Sequence, residues 1–176
     1  KLFPAFEKTI GFDQKSKNHE YDLWTHTAKA VGAASPVLEV RYALLFHDVG
    51  KPDCFSLAPS GEGRYIGHEE RSSLLAEEAL RLLGHERKFI NEVSALIKAH
   101  HLEIDDNPPE IKRILRYFGE DFTRKLVQLQ IGDNRGKSER GSTRTEPLRD
   151  SLNTLNNVIA SKECYDTNML AITAND

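Results

Sequence analysis

At 176 residues the chain suits one domain, or one domain with an appended helical piece, and its 39% hydrophobic share is enough for a core. No apolar run approaches bilayer-spanning length and the first residues lack a signal-peptide pattern, so a cytoplasmic protein with no membrane partner is expected. The net charge of −3 excludes a globally basic nucleic-acid-binding surface. Cys54 and Cys164 are too few for a disulfide framework and stand in no paired zinc spacing, so free thiols are expected.

Residues 1–20 are mixed and read as a short helix and linker docked on the main body. Asp22 can cap a helix carrying Leu23, Trp24, Ala28 and Val31, with Trp24 expected in the core, and Gly32 to Pro36 end it. Val37, Leu38, Val40, Ala43, Leu44, Leu45 and Phe46 make a buried helix that stops at His47-Asp48. Gly50 suits a left-handed closing turn there, and Pro52 bars continuation. Pro52, Pro59, Gly61, Gly63 and Gly67 mark 52–67 as a loop, or a loop with a brief extended piece, overhanging that helix end. Helical periodicity resumes with Leu74, Leu75, Ala79, Leu82 and Leu83, breaks at Gly84, and returns with Phe89, Ile90, Val93, Leu96 and Ile97 up to His100. Pro108-Pro109 opens a helix through Phe118; Phe122, Leu126, Leu129 and Gln130 then lead to Asp133, just before Gly136. With no internal repeat and no convincing strand, the expected class is all-α.

The chemistry concentrates where the second apolar helix stops. An isolated His47-Asp48 pair would be a capping histidine beside a surface aspartate, but further ligand types recur at helix ends: His68 after the Gly-rich loop, His100-His101, and Asp133, with His26 on the preceding helix. Only His19 and His85 fall outside this pattern, and their polar surroundings suggest solvated surface roles. Imidazole and carboxylate together suit divalent Mn, Fe, Co, Ni or Zn, and helix C-termini turn partial negative charge toward a cation. Adjacent helical residues point about 100° apart, so His47 and Asp48 can enter one cluster from two directions, whereas His100 and His101 are not expected on one ion. His100 is the favoured ligand, and His101 an extra ligand, a phosphate contact or an outer hydrogen-bond donor. Asp22 shares a face with His26 and is a weak extra candidate, with capping the better reading. Ser56, Ser72 and Ser73 lack a paired base, which leaves water as the nucleophile.

The order His26…His47-Asp48…Asp133 resembles the HD superfamily of metal-dependent phosphohydrolases, whose members are all-helical. Adding His68 and His100 or His101 resembles the subgroup with two metals, in which the Asp of the HD pair bridges them. Leu2-Phe3-Pro4, Gly11-Phe12-Asp13-Gln14, Asp22-Leu23-Trp24-Thr25-His26-Thr27 and Gly67-His68-Glu69-Glu70 are similar to the HD domain of bacterial tRNA nucleotidyltransferases and poly(A) polymerases, the CCA-adding class. Residues 170–176 resemble the start of the final helical part there, with Thr173 and Ala174 departing from the usual Asn-Gly.

The resemblance implies a fragment: a docking segment at 1–20, an HD-like helical bundle at 21–134, and a basic loop with a C-terminal helical segment at 135–176. It implies one or two divalent ions (Mn, Ni, Co, Fe, Zn or Mg) held by His26, His47, Asp48, His68, His100 and Asp133, with Asp48 and Lys51 catalytic. Lys51, Arg64 and Arg135 are expected to meet a nucleotide or RNA 3′-end phosphoester, with tRNA as the larger partner. Arg135, Lys137, Arg140, Arg144 and Arg149 would form a basic lip. Two functions compete: a phosphohydrolase, and a noncatalytic helical body that helps a nucleotidyltransferase hold tRNA. No Gly-Ser followed by an Asp-x-Asp pair is present, so nucleotidyl transfer would reside upstream. The oligomeric state is left open.

Overall fold

The computed structural model describes residues 3–16, 20–139 and 141–161. The expectations for Leu2, His19, Arg140, Cys164 and 170–176 lie outside the described residues. After a 3-10 turn at Pro4–Thr9 come α1 (Leu23–Gly32), α2 (Leu38–Phe46) and a 3-10 turn at Lys51–Cys54. Next follow a ribbon of β1 (Ser56–Leu57) and β2 (Gly63–Arg64), then α3 (His68–Leu82), α4 (Arg87–Ala99), α5 (Pro108–Phe118), α6 (Glu120–Gly136) and α7 (Thr145–Ala160). The described part is all-α apart from that antiparallel ribbon, in which Ser56 pairs with Arg64 and Leu57 with Gly63. No helix among the described residues is long and apolar enough to cross a membrane.

Local chemistry sets the helix ends. Asp22 caps α1, its carboxylate accepting the Thr25 N–H at 3.1 Å and the Gly11 N–H at 2.7 Å. Both oxygens are thus committed to backbone, and the extra-ligand reading of Asp22 is set aside. The Asn107 side chain accepts the Glu110 N–H at 2.9 Å at the start of α5, which carries Pro in its first turn. Gly67, left-handed at φ 79°, lets the ribbon turn into α3 at His68.

That early start sets the phase of α3. Its buried face is His68, Ser72, Ser73, Ala76, Ala79 and Leu80, whereas Leu74, Leu82 and Leu83, expected inside, are exposed. Trp24 likewise differs from expectation: it is 37% exposed and meets the edge of Phe6 rather than entering the core. His85 is half-buried, stacked on Phe89 with centroids 4.6 Å apart and with Nε2 3.2 Å from the Tyr42 hydroxyl, so it is a packed side chain rather than a solvated one. Gly50 does not adopt the left-handed turn; at φ −83° it is right-handed. Its requirement is space, since a Cβ there would lie 2.7 Å from the Ser72 backbone N of α3.

Helix α6 touches α1, α2, α4, α5 and α7, and is the axis of the bundle. Leu126, Val127 and Leu129 join Leu44 of α2, Ile97 of α4, Ile114 of α5 and Leu155 of α7 in one apolar cluster. Two glycines set its approach to the neighbours. A Cβ on Gly132 would stand 2.6 Å from Leu44 Cδ1, and one on Gly136 would stand 2.9 Å from the Ala30 backbone N and 2.7 Å from its Cβ.

Gly136→Ala should therefore separate α1 from α6. Overpacking costs about 1–3 kcal/mol, more than the roughly 1 kcal/mol that alanine gains over glycine in a helix. A net loss of up to about 2 kcal/mol is expected in urea denaturation, and a gain in stability would contradict the close-packing account.

Candidate metal centre

Five elements deliver the ligand-type side chains. His26 lies on the buried stripe of α1 with Leu23, Thr27 and Ala30. His47 directly follows α2, His68 opens α3, and His100 directly follows α4. Asp133 was expected at a helix end but lies inside the last turn of α6, which continues through Gly136.

The carboxylate of Asp48 is the shared member. Its Oδ2 is 3.2 Å from His47 Nε2 and 3.7 Å from His26 Nε2, while its Oδ1 is 3.3 Å from His68 Nε2 and 3.8 Å from His100 Nε2. Asp133 Oδ1 closes the first group at 3.1 Å from His26 Nε2 and 3.4 Å from His47 Nε2. His101 joins the second group, its Nε2 3.3 Å from that of His68. Two sets able to hold a divalent ion result: His26, His47 and Asp133, and Asp48, His68, His100 and His101.

The rings are aimed by their other nitrogens. Nδ1 lies 2.7 Å from the Leu44 carbonyl in His47, 2.8 Å from that of Tyr65 in His68, and 2.6 Å from that of Ile97 in His100. A carbonyl accepts only, so each Nδ1 carries a proton and each Nε2 is turned toward the centre. The Gln130 amide holds the following backbone, donating to the carbonyls of His100 at 3.0 Å and Leu102 at 2.6 Å.

Two buried acceptors in this centre, Asp48 Oδ1 and His100 Nε2, have no hydrogen bond among the described residues. Unsatisfied buried polar atoms are costly, and a cation between them would satisfy both. Burial lowers the His100 pKa, and charge on His101 and His47 lowers it further, well below the ordinary value, which keeps the imidazole neutral as a ligand must be. Burial opposes ionisation of Asp48 and Asp133. For Asp48 it is outweighed by His47 and Lys51, for Asp133 by hydrogen bonds from His26 and His47 and the charge of Lys137; both carboxyls stay well below the usual range. Burial would lower His47 as well, yet Asp48 and Asp133 raise it to about 10. These carboxylates demand positive charge between them, which a proton or a metal ion can provide. The donor set fits a transition-metal centre.

Other expected site residues sit differently. Lys51, expected to reach a substrate phosphate, is buried, with Nζ donating to Asp48 Oδ2 at 2.7 Å and Gln14 Oε1 at 3.0 Å. Tyr65 has its ring 5.3 Å from Lys51 Nζ and its hydroxyl donating to the Gln14 carbonyl. Arg64 is exposed on the ribbon, where Tyr65 rather than Arg64 faces the centre. Arg135 is exposed and lines a shallow depression with Tyr21, Lys137 and Arg149. Ser72 Oγ accepts the Gly50 N–H at 2.9 Å and Ser73 Oγ donates to the Glu70 carbonyl at 2.9 Å, which accounts for the nearby hydroxyls. Sequence reasoning gave Gln14 and Gln130 no role; the available signal was a buried amide three residues before Asp133 on an apolar helix face.

Fold and site thus describe a helical domain with two His/Asp groups able to hold a divalent ion. No family model matches the chain. Curated relatives do match. The CC-adding tRNA nucleotidyltransferase of Thermus thermophilus is 32% identical over 139 residues, which cover 74% of this chain and 31% of that protein. The A-adding tRNA nucleotidyltransferase of Deinococcus radiodurans is 25% identical over 134 residues, 73% of this chain and 30% of that protein. A multifunctional CCA protein of Halorhodospira halophila is 41% identical over 75 residues, 40% of this chain and 17% of that protein. The chain is homologous to part of the tRNA nucleotidyltransferases, and it spans less than a third of the length of these relatives.

Replacing Lys51 by Met removes the ammonium that balances Asp48 in a buried site. Breaking a buried ion pair costs about 3–5 kcal/mol, so Lys51→Met should lose about 3 kcal/mol in urea denaturation with chelator present. A saturating divalent ion should recover part of it. Unchanged stability in chelator would contradict the counter-ion role.

Proposed function

We propose that this chain is a metal-dependent phosphohydrolase domain of a tRNA nucleotidyltransferase-type protein, acting on nucleotide or RNA-terminal phosphoesters. The observation that carries the reading is the division of one buried carboxylate: Asp48 Oδ2 faces His26 and His47, and Oδ1 faces His68 and His100. A body that only holds tRNA has no need of such a buried charge.

His26, His47, Asp133 and Asp48 are assigned to one divalent ion, and Asp48, His68 and His100 to another, with His101 at its rim. When bound, such ions acidify water and neutralise phosphoryl oxygens. The residues do the rest. Lys51 keeps Asp48 ionised and fixed, the Leu44, Tyr65 and Ile97 carbonyls hold three rings in register, and Gln130 anchors the turn after His100. With Ser72 and Ser73 committed to backbone, water is assigned as the nucleophile. The relatives' names carry tRNA as the larger partner.

Protein purified without chelator and loaded in turn with Mn, Ni, Co, Fe and Mg should hydrolyse phosphomonoesters or cyclic nucleotides with at least one of them. Asp48→Asn should lower that rate more than about 100-fold, since changes even outside the ligand shell commonly cost about 10–100-fold. Absence of hydrolysis with every metal would defeat the proposal. Salt-sensitive tRNA binding that drops on neutralising Arg135 and Lys137 would then favour the noncatalytic body.

A further inference from the structure

Lys51 is withdrawn into the protein, so the phosphoryl group needs another cationic partner. A cavity of about 60 Å³ opens over the centre, and its wall includes His100, His101 and Asp133 together with Lys137 and Arg144. It is too small for a nucleoside and suits one phosphoryl group. Lys137 Nζ is 3.0 Å from Asp133 Oδ2, the oxygen turned away from the histidines. Arg144 is held over the same mouth by its backbone: its N–H donates to Asn134 Oδ1 at 3.1 Å, and the Thr145 hydroxyl donates to that same oxygen at 3.1 Å. Asn134 is buried and directly follows Asp133 on α6, so the start of α7 is registered on the ligand-bearing turn while the exposed guanidinium has no part in that anchoring.

The charge balance fixes the sign of the ligand. Lys51 pairs with Asp48 and Lys137 with Asp133, Arg144 lines the cavity beside them, and any divalent ion adds positive charge. Lys137 also lines the neighbouring depression, an open space of about 460 Å³ whose walls include the Tyr21 ring, with Lys29 over one face, Arg135, Glu139 and an Arg149–Glu146 ion pair. Its size admits a nucleoside, and an aromatic face beside arginines is how single bases are held.

We infer that Lys137 and Arg144 hold the phosphoryl group, that the nucleoside lies in the adjoining depression against Tyr21, and that Lys51 is a positioning residue for Asp48. This deepens the phosphohydrolase reading and rests on it for the identity of the anion. The substrate class is a single terminal phosphoester attached to a nucleoside, whether free or at an RNA end.

Titration calorimetry on the metal-loaded full chain tests the assignment with two probes. One is inorganic phosphate; the other is a nucleotide phosphonate in which a methylene replaces the bridging ester oxygen. Arg144→Gln should weaken both about tenfold or more, the loss expected for a charge-assisted contact, with bound metal unchanged. Tyr21→Ala should weaken only the phosphonate, about fivefold or more. Wild-type protein that binds no phosphate, or Arg144→Gln protein that binds it as tightly as wild type or loses metal in parallel, overturns the phosphate assignment. Tyr21→Ala protein with unchanged phosphonate affinity, or with equal losses for both probes, overturns the nucleoside direction. Tight phosphate binding by wild type that falls in Arg144→Gln, without hydrolysis of any ester, would leave this inference standing and defeat the phosphohydrolase reading. Hydrolysis with Arg144→Gln binding intact would do the reverse.

Discussion

The burial of the Asp48 carboxylate is the constraint on which the rest of the molecule depends. An ionised carboxylate removed from water costs several kcal/mol unless it is paired and hydrogen-bonded, and Asp48 is only 2% exposed. Lys51 supplies one counter-charge at 2.7 Å, and four imidazoles from α1, from the ends of α2 and α4, and from the start of α3 surround the two oxygens. The pairing is incomplete, because Asp48 Oδ1 and His100 Nε2 have no hydrogen bond among the described residues. A cation between these two atoms would complete the pairing.

The bundle makes that convergence possible by close approach at small residues. Gly132 and Gly136 let α6 lie against Leu44 and Ala30, which brings Asp133 within 3.1 Å of His26 Nε2. Gly50 and the Ser72 hydroxyl seat the turn after Asp48 on α3, close to where His68 begins that helix. Packing and chemistry are thus the same interactions. The helix contacts that bury the core also set the ligand distances, and a methyl group added at one of these glycines acts on both.

Much of this was legible in the sequence because helix periodicity and polar interruptions report separately on core and site. Val40, Ala43, Leu44 and Phe46 gave α2, and the abrupt His47-Asp48 gave its end; Pro108-Pro109 gave the start of α5. The ligand types could be picked out because histidine and aspartate are rare on apolar stripes, as with His26 among Leu23, Thr27 and Ala30. Other features escaped for physical reasons. The phase of α3 is set by the left-handed Gly67, whereas periodicity counted from Leu74 turns Leu74 and Leu82 inward; the structure turns Ser72 and Ser73 inward instead. Gly50 was read as a turn glycine because sequence shows flexibility and not proximity. Lys51 was read as a substrate contact because its spacing from Asp48 does not reveal that Gln14, from a segment far earlier in the chain, closes over its ammonium. Arg144 could not be placed at the centre without Asn134, since the anchoring bond is made by its backbone.

The central claim is that Asp48 is shared between two cation-binding groups. Anomalous diffraction from crystals grown without chelator and equilibrated with Mn addresses it most directly, at wavelengths on either side of the metal edge. The expected result is a peak flanked by His26, His47 and Asp133 on the Oδ2 side of Asp48, with a second, weaker peak flanked by His68 and His100 on the Oδ1 side. Maps without a peak at either position, or with the His68 and His100 rings turned away from Asp48, would contradict it.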